Sequence, residues 1–174
     1  MKTTKLEKLN ACSDAIKWVS EQKNQQQAWD DCKRGDWMLW LLGKLSDEPE
    51  SKKRKKLVLT ACECARLSLH LVEDGEERPR IAIETAEQWA IGKSTIDEVW
   101  KAVAAAYDVS DAAYAAASAA YAAYAADAAY VAAAASAASA AYAYAPAAAA
   151  SAKEGILKQC ADIVRKHYPK VPRL

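Results

Sequence analysis

From Ala119 to Tyr130 the chain reads AAYAAYAADAAY. These twelve residues sit inside a longer tract, residues 102–152, in which most positions are alanine and most others are tyrosine, serine or aspartate. Alanine has the best helix propensity and no side-chain entropy to lose, so the tract is expected to be helical. Tyr107, Asp111, Tyr114, Ser118 and Tyr121 recur at spacings of 4, 3, 4 and 3, which places them on one helical stripe. Tyr124, Asp127 and Val131 make a second stripe, and Tyr130, Ala137 and Tyr144 a third. Aromatic residues on several faces predict helices surrounded by protein, with tyrosine supplying the volume that alanine lacks. A helix of about 50 residues would span roughly 75 Å, too long for a compact domain of this size. The tract is therefore expected to break, with Asp108–Ser110, Ser136–Ser139 and Pro146 as candidate points.

Outside the tract the pattern is also helical. With five glycines and five prolines, punctuation is too sparse for many hairpins. Residues 10–24 carry an apolar face through Ala11, Cys12, Ala15, Ile16, Trp18 and Val19, and a second segment runs through Trp29, Cys32, Trp37 and Leu41. In SDEPE, Ser46 or Asp47 reads as a cap with Pro49 in the first turn of a helix continuing through Leu57 to Leu71. Pro79 reads as the opening of a helix with Ile83, Ala86, Trp89 and Ala90 inward and Gly92 at its end. Ser94 or Thr95 caps the next, with Asp97 and Glu98 in its first turn. Residues 153–168 form a C-terminal amphipathic helix facing inward through Ile156, Cys160, Ile163 and Val164. The expected architecture is all-α: residues 1–174 as a single compact bundle of about six to eight helices, with the alanine–tyrosine helices central.

Composition narrows the function. At 174 residues and a net charge of +1, nothing global steers the chain to nucleic acid or an anionic membrane. The mean hydropathy is −0.24, and outside the alanine tract no strongly apolar window is long enough to span a bilayer. Five scattered cysteines and no secretory leader predict a cytoplasmic protein with free, buried thiols. Cys62 and Cys64 are two apart on a helix and do not share a face, so zinc is not expected. No motif pairs a nucleophile with a base, so catalysis is not expected, nor any cofactor. The basic run KKRKK, Lys52–Lys56, lacks the aromatic interleaving of a nucleic-acid groove. The tract has no threonine and so does not read as an ice-binding helix.

Two charged segments are candidate binding elements. In GEERPR, Arg78 and Arg80 flank a proline with Glu84 about a turn on. They form either a local ion-pair cluster or, with Trp89, a corner for an anion or a partner protein. In KRGDW, Arg34 and Asp36 beside Trp37 pose the same choice.

CKRGDWMLWLL, ACECARLSLHLVEDGEERPRIAIETAEQWAIG, the alanine–tyrosine tract and QCADIVRKHYP follow one another in that order. Together they resemble the immunity-protein-five-like family of bacterial and phage immunity proteins, over roughly Cys32 to Pro169. The resemblance implies an all-helical, non-enzymatic protein that neutralises a toxin. It carries the family pattern onto Arg34, Asp36, Trp37, Arg66, Glu76, Arg78, Pro79, Glu84, Trp89, Cys160, Asp162 and Arg165. Many relatives have arginine or histidine among the alanines where this chain has tyrosine, which points to a different ligand if the tract binds one. The expected site residues are thus Arg34, Asp36, Trp37, Arg66, Arg78, Arg80, Glu84 and Trp89, with Tyr107, Asp111, Tyr114 and Tyr121 of the tyrosine stripe. The expected partner is a protein, a toxin or effector. The alternatives are a phage or plasmid counter-defence factor that blocks a host protein or sequesters a nucleotide-like ligand, and a structural homo-oligomer packing through alanine faces.

Overall fold

A computed structural model describes residues 3–46, 50–67, 69–72, 74–107 and 148–173. All regular structure among the described residues is helical. The elements are α1 (Thr4–Lys8), α2 (Ser13–Ser20), α3 (Gln25–Asp31), α4 (Gly35–Lys44), α5 (Lys52–Arg66), a 3₁₀ turn (Leu69–Leu71), α6 (Arg78–Ala90), α7 (Ile96–Tyr107) and α8 (Ala148–His167). The break points expected at Asp108–Ser110, Ser136–Ser139 and Pro146 lie outside the described residues, as does the expected central place of the alanine–tyrosine helices.

Local chemistry sets the ends of these helices. The Asn24 side chain accepts from the Gln27 N–H at 2.9 Å and caps α3. At the start of α7, Thr95 Oγ1 accepts from the Glu98 N–H at 3.3 Å, and the Glu98 carboxylate accepts from the Thr95 N–H at 2.7 Å. This is the reciprocal box expected of Thr95. Pro79 stands in the first turn of α6, where its missing N–H costs nothing, and Gly92, at φ +79°, turns the chain after it.

Four boundaries differ from expectation. α5 ends at Arg66 rather than running on to Leu71, and Leu69–Leu71 form a separate 3₁₀ turn. α5 is capped by Ser51, whose Oγ accepts from the Arg54 N–H at 3.1 Å, rather than by Ser46 or Asp47. The segment through Trp29 and Leu41 is two helices, because the chain extends at Cys32 and turns into α4 at Gly35. α8 begins at Ala148, five residues before the expected start, and ends at His167.

The core is one cluster shared by α3 to α8. α8 packs on α4 and α5, α5 on α6, and α6 on α7. Ile83, Ala86 and Trp89 of α6 and Ile156, Cys160 and Val164 of α8 are buried as their spacing requires. Small residues allow the closest contact: a Cβ added at Gly35 would lie 2.7 Å from the Ala161 nitrogen and 2.8 Å from the Cys160 carbonyl carbon. The start of α4 therefore rests directly on the α8 backbone.

Arg165 fastens that contact. Its Nη1 donates to the Cys32 carbonyl at 2.7 Å and the Trp29 carbonyl at 3.2 Å, satisfying two groups at the α3–α4 corner. In return the Trp29 indole N–H donates to the Tyr168 carbonyl at 2.8 Å. Gln26 accepts from the Val171 N–H at 3.0 Å and donates to the Pro169 carbonyl at 3.2 Å, so the C-terminal tail is stitched to α3.

The basic run opens α5 and is not uniformly solvated. Arg54 is turned inward, 2% exposed, and burial lowers its pKa. Lys56 lies 4.4 Å over the Tyr168 ring and Lys55 5.2 Å over the Trp89 ring. Cys32, Cys62, Cys64 and Cys160 are buried free thiols, as expected, whereas Cys12 is exposed. Burial raises the pKa of Cys62. Among the described residues no helix is long and apolar enough to cross a membrane.

Candidate functional site

The structure gathers the expected binding residues into two groups. The larger lies at the start of α6. Gly75, at φ +87°, turns the chain so that Glu76 reaches over the next two residues. The Glu76 carboxylate accepts from the Arg78 N–H at 3.0 Å, from Nε at 2.8 Å and from Nη2 at 2.5 Å. The Arg78 guanidinium holds this carboxyl down to about 2. Arg80 Nη1 donates to Glu84 at 2.6 Å and Nε to Glu77 at 2.5 Å, and these bonds raise the arginine pKa further. Arg66 of α5 meets Glu87 of α6 in a fork, Nε to Oε1 at 3.0 Å and Nη2 to Oε2 at 2.7 Å. The hydrogen bond to Glu87 raises the Arg66 pKa.

All three guanidiniums thus engage carboxylates, four in all, and the corner carries no excess of positive charge. It is also accessible: the Arg78 and Arg80 side chains are 48% and 45% exposed. Ion pairs of this exposure contribute little stability, but they order the long side chains before anything binds.

Ile81, Glu84, Gln88 and Ile91 recur at spacings of 3, 4 and 3, one stripe of α6. Both isoleucines are exposed, at 45% and 54%. Ile81 follows Arg80 directly and Ile91 caps the far end of the helix, while Ile83, Ala86 and Trp89 hold the opposite side of the helix in the core. The sequence reading missed Ile81, Ile91 and the partners Glu77 and Glu87. The stripe was detectable in the 3-4-3 spacing, but only the fold shows which face of α6 is outward. Trp89, expected beside the arginines as part of the corner, is 3% exposed and belongs to the core.

The second group is Arg34, Asp36 and Trp37 at the start of α4. Arg34 Nε donates to Asp36 Oδ1 at 2.9 Å and Nη2 to Oδ2 at 2.5 Å. The same guanidinium lies 4.3 Å over the Trp37 ring. Asp36 is buried, and its hydrogen bonds to Arg34 raise the arginine pKa. Asp111, Tyr114 and Tyr121 lie outside the described residues, as does the side chain of Tyr107.

A family model described as "Imm-5 like putative immunity protein" matches residues 47–173. The matched span holds α5 to α8 with the α6 corner, and Arg34, Asp36 and Trp37 precede it. No curated protein and no solved structure matches the chain.

Proposed function

Because the chain belongs to the Imm-5 like immunity-protein family, we propose that it is a non-catalytic binding protein that neutralises a protein toxin or effector by stoichiometric binding in the cytoplasm. Membership of an immunity family across α5 to α8 is the observation that carries this reading. The α6 corner is the surface assigned to the partner. Ile81 and Ile91 supply apolar anchors, and Arg66–Glu87, Arg78–Glu76 and Arg80–Glu84 supply a pre-ordered polar rim. Interfaces combine these features: an apolar centre, arginine at its edge and satisfied hydrogen bonds. Four carboxylates against three guanidiniums favour a protein partner over sequestration of a phosphate-bearing ligand, which needs guanidiniums not already engaged by carboxylates.

The test is native mass spectrometry of tagged protein drawn gently from its host extract, beside the Ile81→Asp/Ile91→Asp variant. The expected result is a second protein at fixed stoichiometry with the parent chain and its loss with the variant. Expressed alone, that protein should arrest growth, and co-expression of the parent chain should restore it. A retained partner whose binding is indifferent to both isoleucines would remove the interface from α6. A partner harmless on its own would remove the immunity role.

A further inference from the structure

A second concave feature lies away from α6. The N-terminal helices and the C-terminal tail line a cavity of about 280 Å³ that is open to solvent. Four of the six tryptophans line it: Trp18 from α2, Trp29 from α3, and Trp37 and Trp40 from α4. α2 has no buried residue, and its apolar side, Ala15, Trp18 and Val19, faces this space instead of the core. All wall residues except Val171 precede the family-matched span.

The walls state what they accept. Four indoles offer broad apolar faces suited to offset stacking on a flat ring. A cavity of about 150 Å³ holds one benzene ring, so this one has room for two fused rings. The carboxylate in the wall, Asp36, has both oxygens taken by Arg34, leaving no charge free to compensate an ionic occupant. The occupant is therefore uncharged. The Trp18 indole N–H is buried without a hydrogen-bond partner. The ring lines the cavity from a helix with no buried residue, and a rotation that brought the donor to the cavity would let an acceptor on an occupant satisfy it. The occupant therefore carries an acceptor atom.

We propose that this cavity is a binding site for a small, uncharged, bicyclic aromatic molecule bearing a hydrogen-bond acceptor. The site is separate from the α6 surface and does not depend on the immunity reading. Quinoline at neutral pH is the probe, with naphthalene lacking the acceptor and 1-naphthoate carrying a charge. Cys12 lines the cavity and is exposed, whereas the other four cysteines are buried, so its alkylation by iodoacetamide reports occupancy in intact mass spectra. Quinoline should give a saturable calorimetric signal and slow Cys12 alkylation about fivefold when four-fifths of the sites are filled. Naphthalene should bind about fivefold more weakly, and 1-naphthoate should not protect. Ala15→Trp, which fills the cavity from the loosely held α2, should abolish quinoline binding with helical content unchanged. Ile81→Asp/Ile91→Asp should leave it intact. No quinoline heat with parent protein, equal binding of 1-naphthoate or naphthalene, or unaltered binding to a folded Ala15→Trp variant would overturn the proposal.

Discussion

Two glycines of the α4–α8 pair, one pressed on the facing backbone and one with open space at its Cβ, give opposite expectations for one substitution. At Gly35 the new methyl would meet the backbone of Cys160 and Ala161, which cannot swing aside as a side chain can. Gly35→Ala should therefore destabilise by about 1–3 kcal/mol, the usual cost of overpacking. At Gly155, within α8, a Cβ meets nothing within 4 Å. Gly155→Ala should stabilise by roughly 0.5–1 kcal/mol through helix propensity and a less flexible unfolded chain. Urea midpoints of the two variants should move in opposite directions, and a Gly35→Ala midpoint at or above that of the parent would show that α4 and α8 do not touch as described. The Gly35 requirement is not legible locally. RGDW shows a glycine at a helix start, where many residues serve, and Cys160 is a distant residue brought there only by the fold.

Between elements, the α5–α8 seam carries a titratable tie. Glu63 of α5 accepts from Lys166 Nζ at 2.8 Å and lies 2.6 Å from His167 Nε2, both at the end of α8. The hydrogen bond from His167, then that from Lys166, lowers the Glu63 pKa below its ordinary 4.5. A depressed carboxylate contributes stability that is fully present above its unfolded value and is lost as pH falls through its folded value. Glu63→Gln should therefore flatten the acid side of the stability profile below pH 4.5, with little effect on its slope above that point. Urea unfolding from about pH 6 to about pH 3 reads this directly, and an unchanged acid slope would show that the tie does not form in solution.

Most helices were visible from periodicity and caps. Thr95–Glu98 and Pro79 are local signals, and the helices they start are where the sequence places them. The break between α3 and α4 was not visible, because Cys32 to Arg34 contains neither glycine nor proline. What holds the chain open there is Arg165, whose guanidinium satisfies the freed carbonyls of Trp29 and Cys32 from the far end of the sequence. The same limit applies to the sites. Arg34–Asp36 and Arg80–Glu84 are close in sequence and were legible as pairs. Arg66–Glu87 spans two helices, so the sequence offered Arg66 without its carboxylate.

At the scale of the molecule, the buried cysteines are reporters of whether the core opens as a unit. Cys62 and Cys64 lie on α5, Cys160 on α8, and Cys32 at the end of α3, yet all four belong to one apolar cluster. Burial raises the Cys32 pKa, and the contact with Cys160, then burial, raises that of Cys64, so neither is a reactive thiolate while folded. Cys12 stands outside that cluster. Alkylation followed by intact mass should therefore show one fast modification and then four that appear together, because each of the four requires the same cooperative opening. Low urea should accelerate the four in parallel. If Cys32 and Cys160 react ahead of Cys62 and Cys64, the α4–α8 contact opens before the α5–α6 contact and the core is two cooperative units. Simultaneous labelling means that the Gly35 contact, the Arg165 tie and the α6 packing share one transition. A substitution at the α4–α8 contact would then lower the stability of the distant α6 corner by the same free energy.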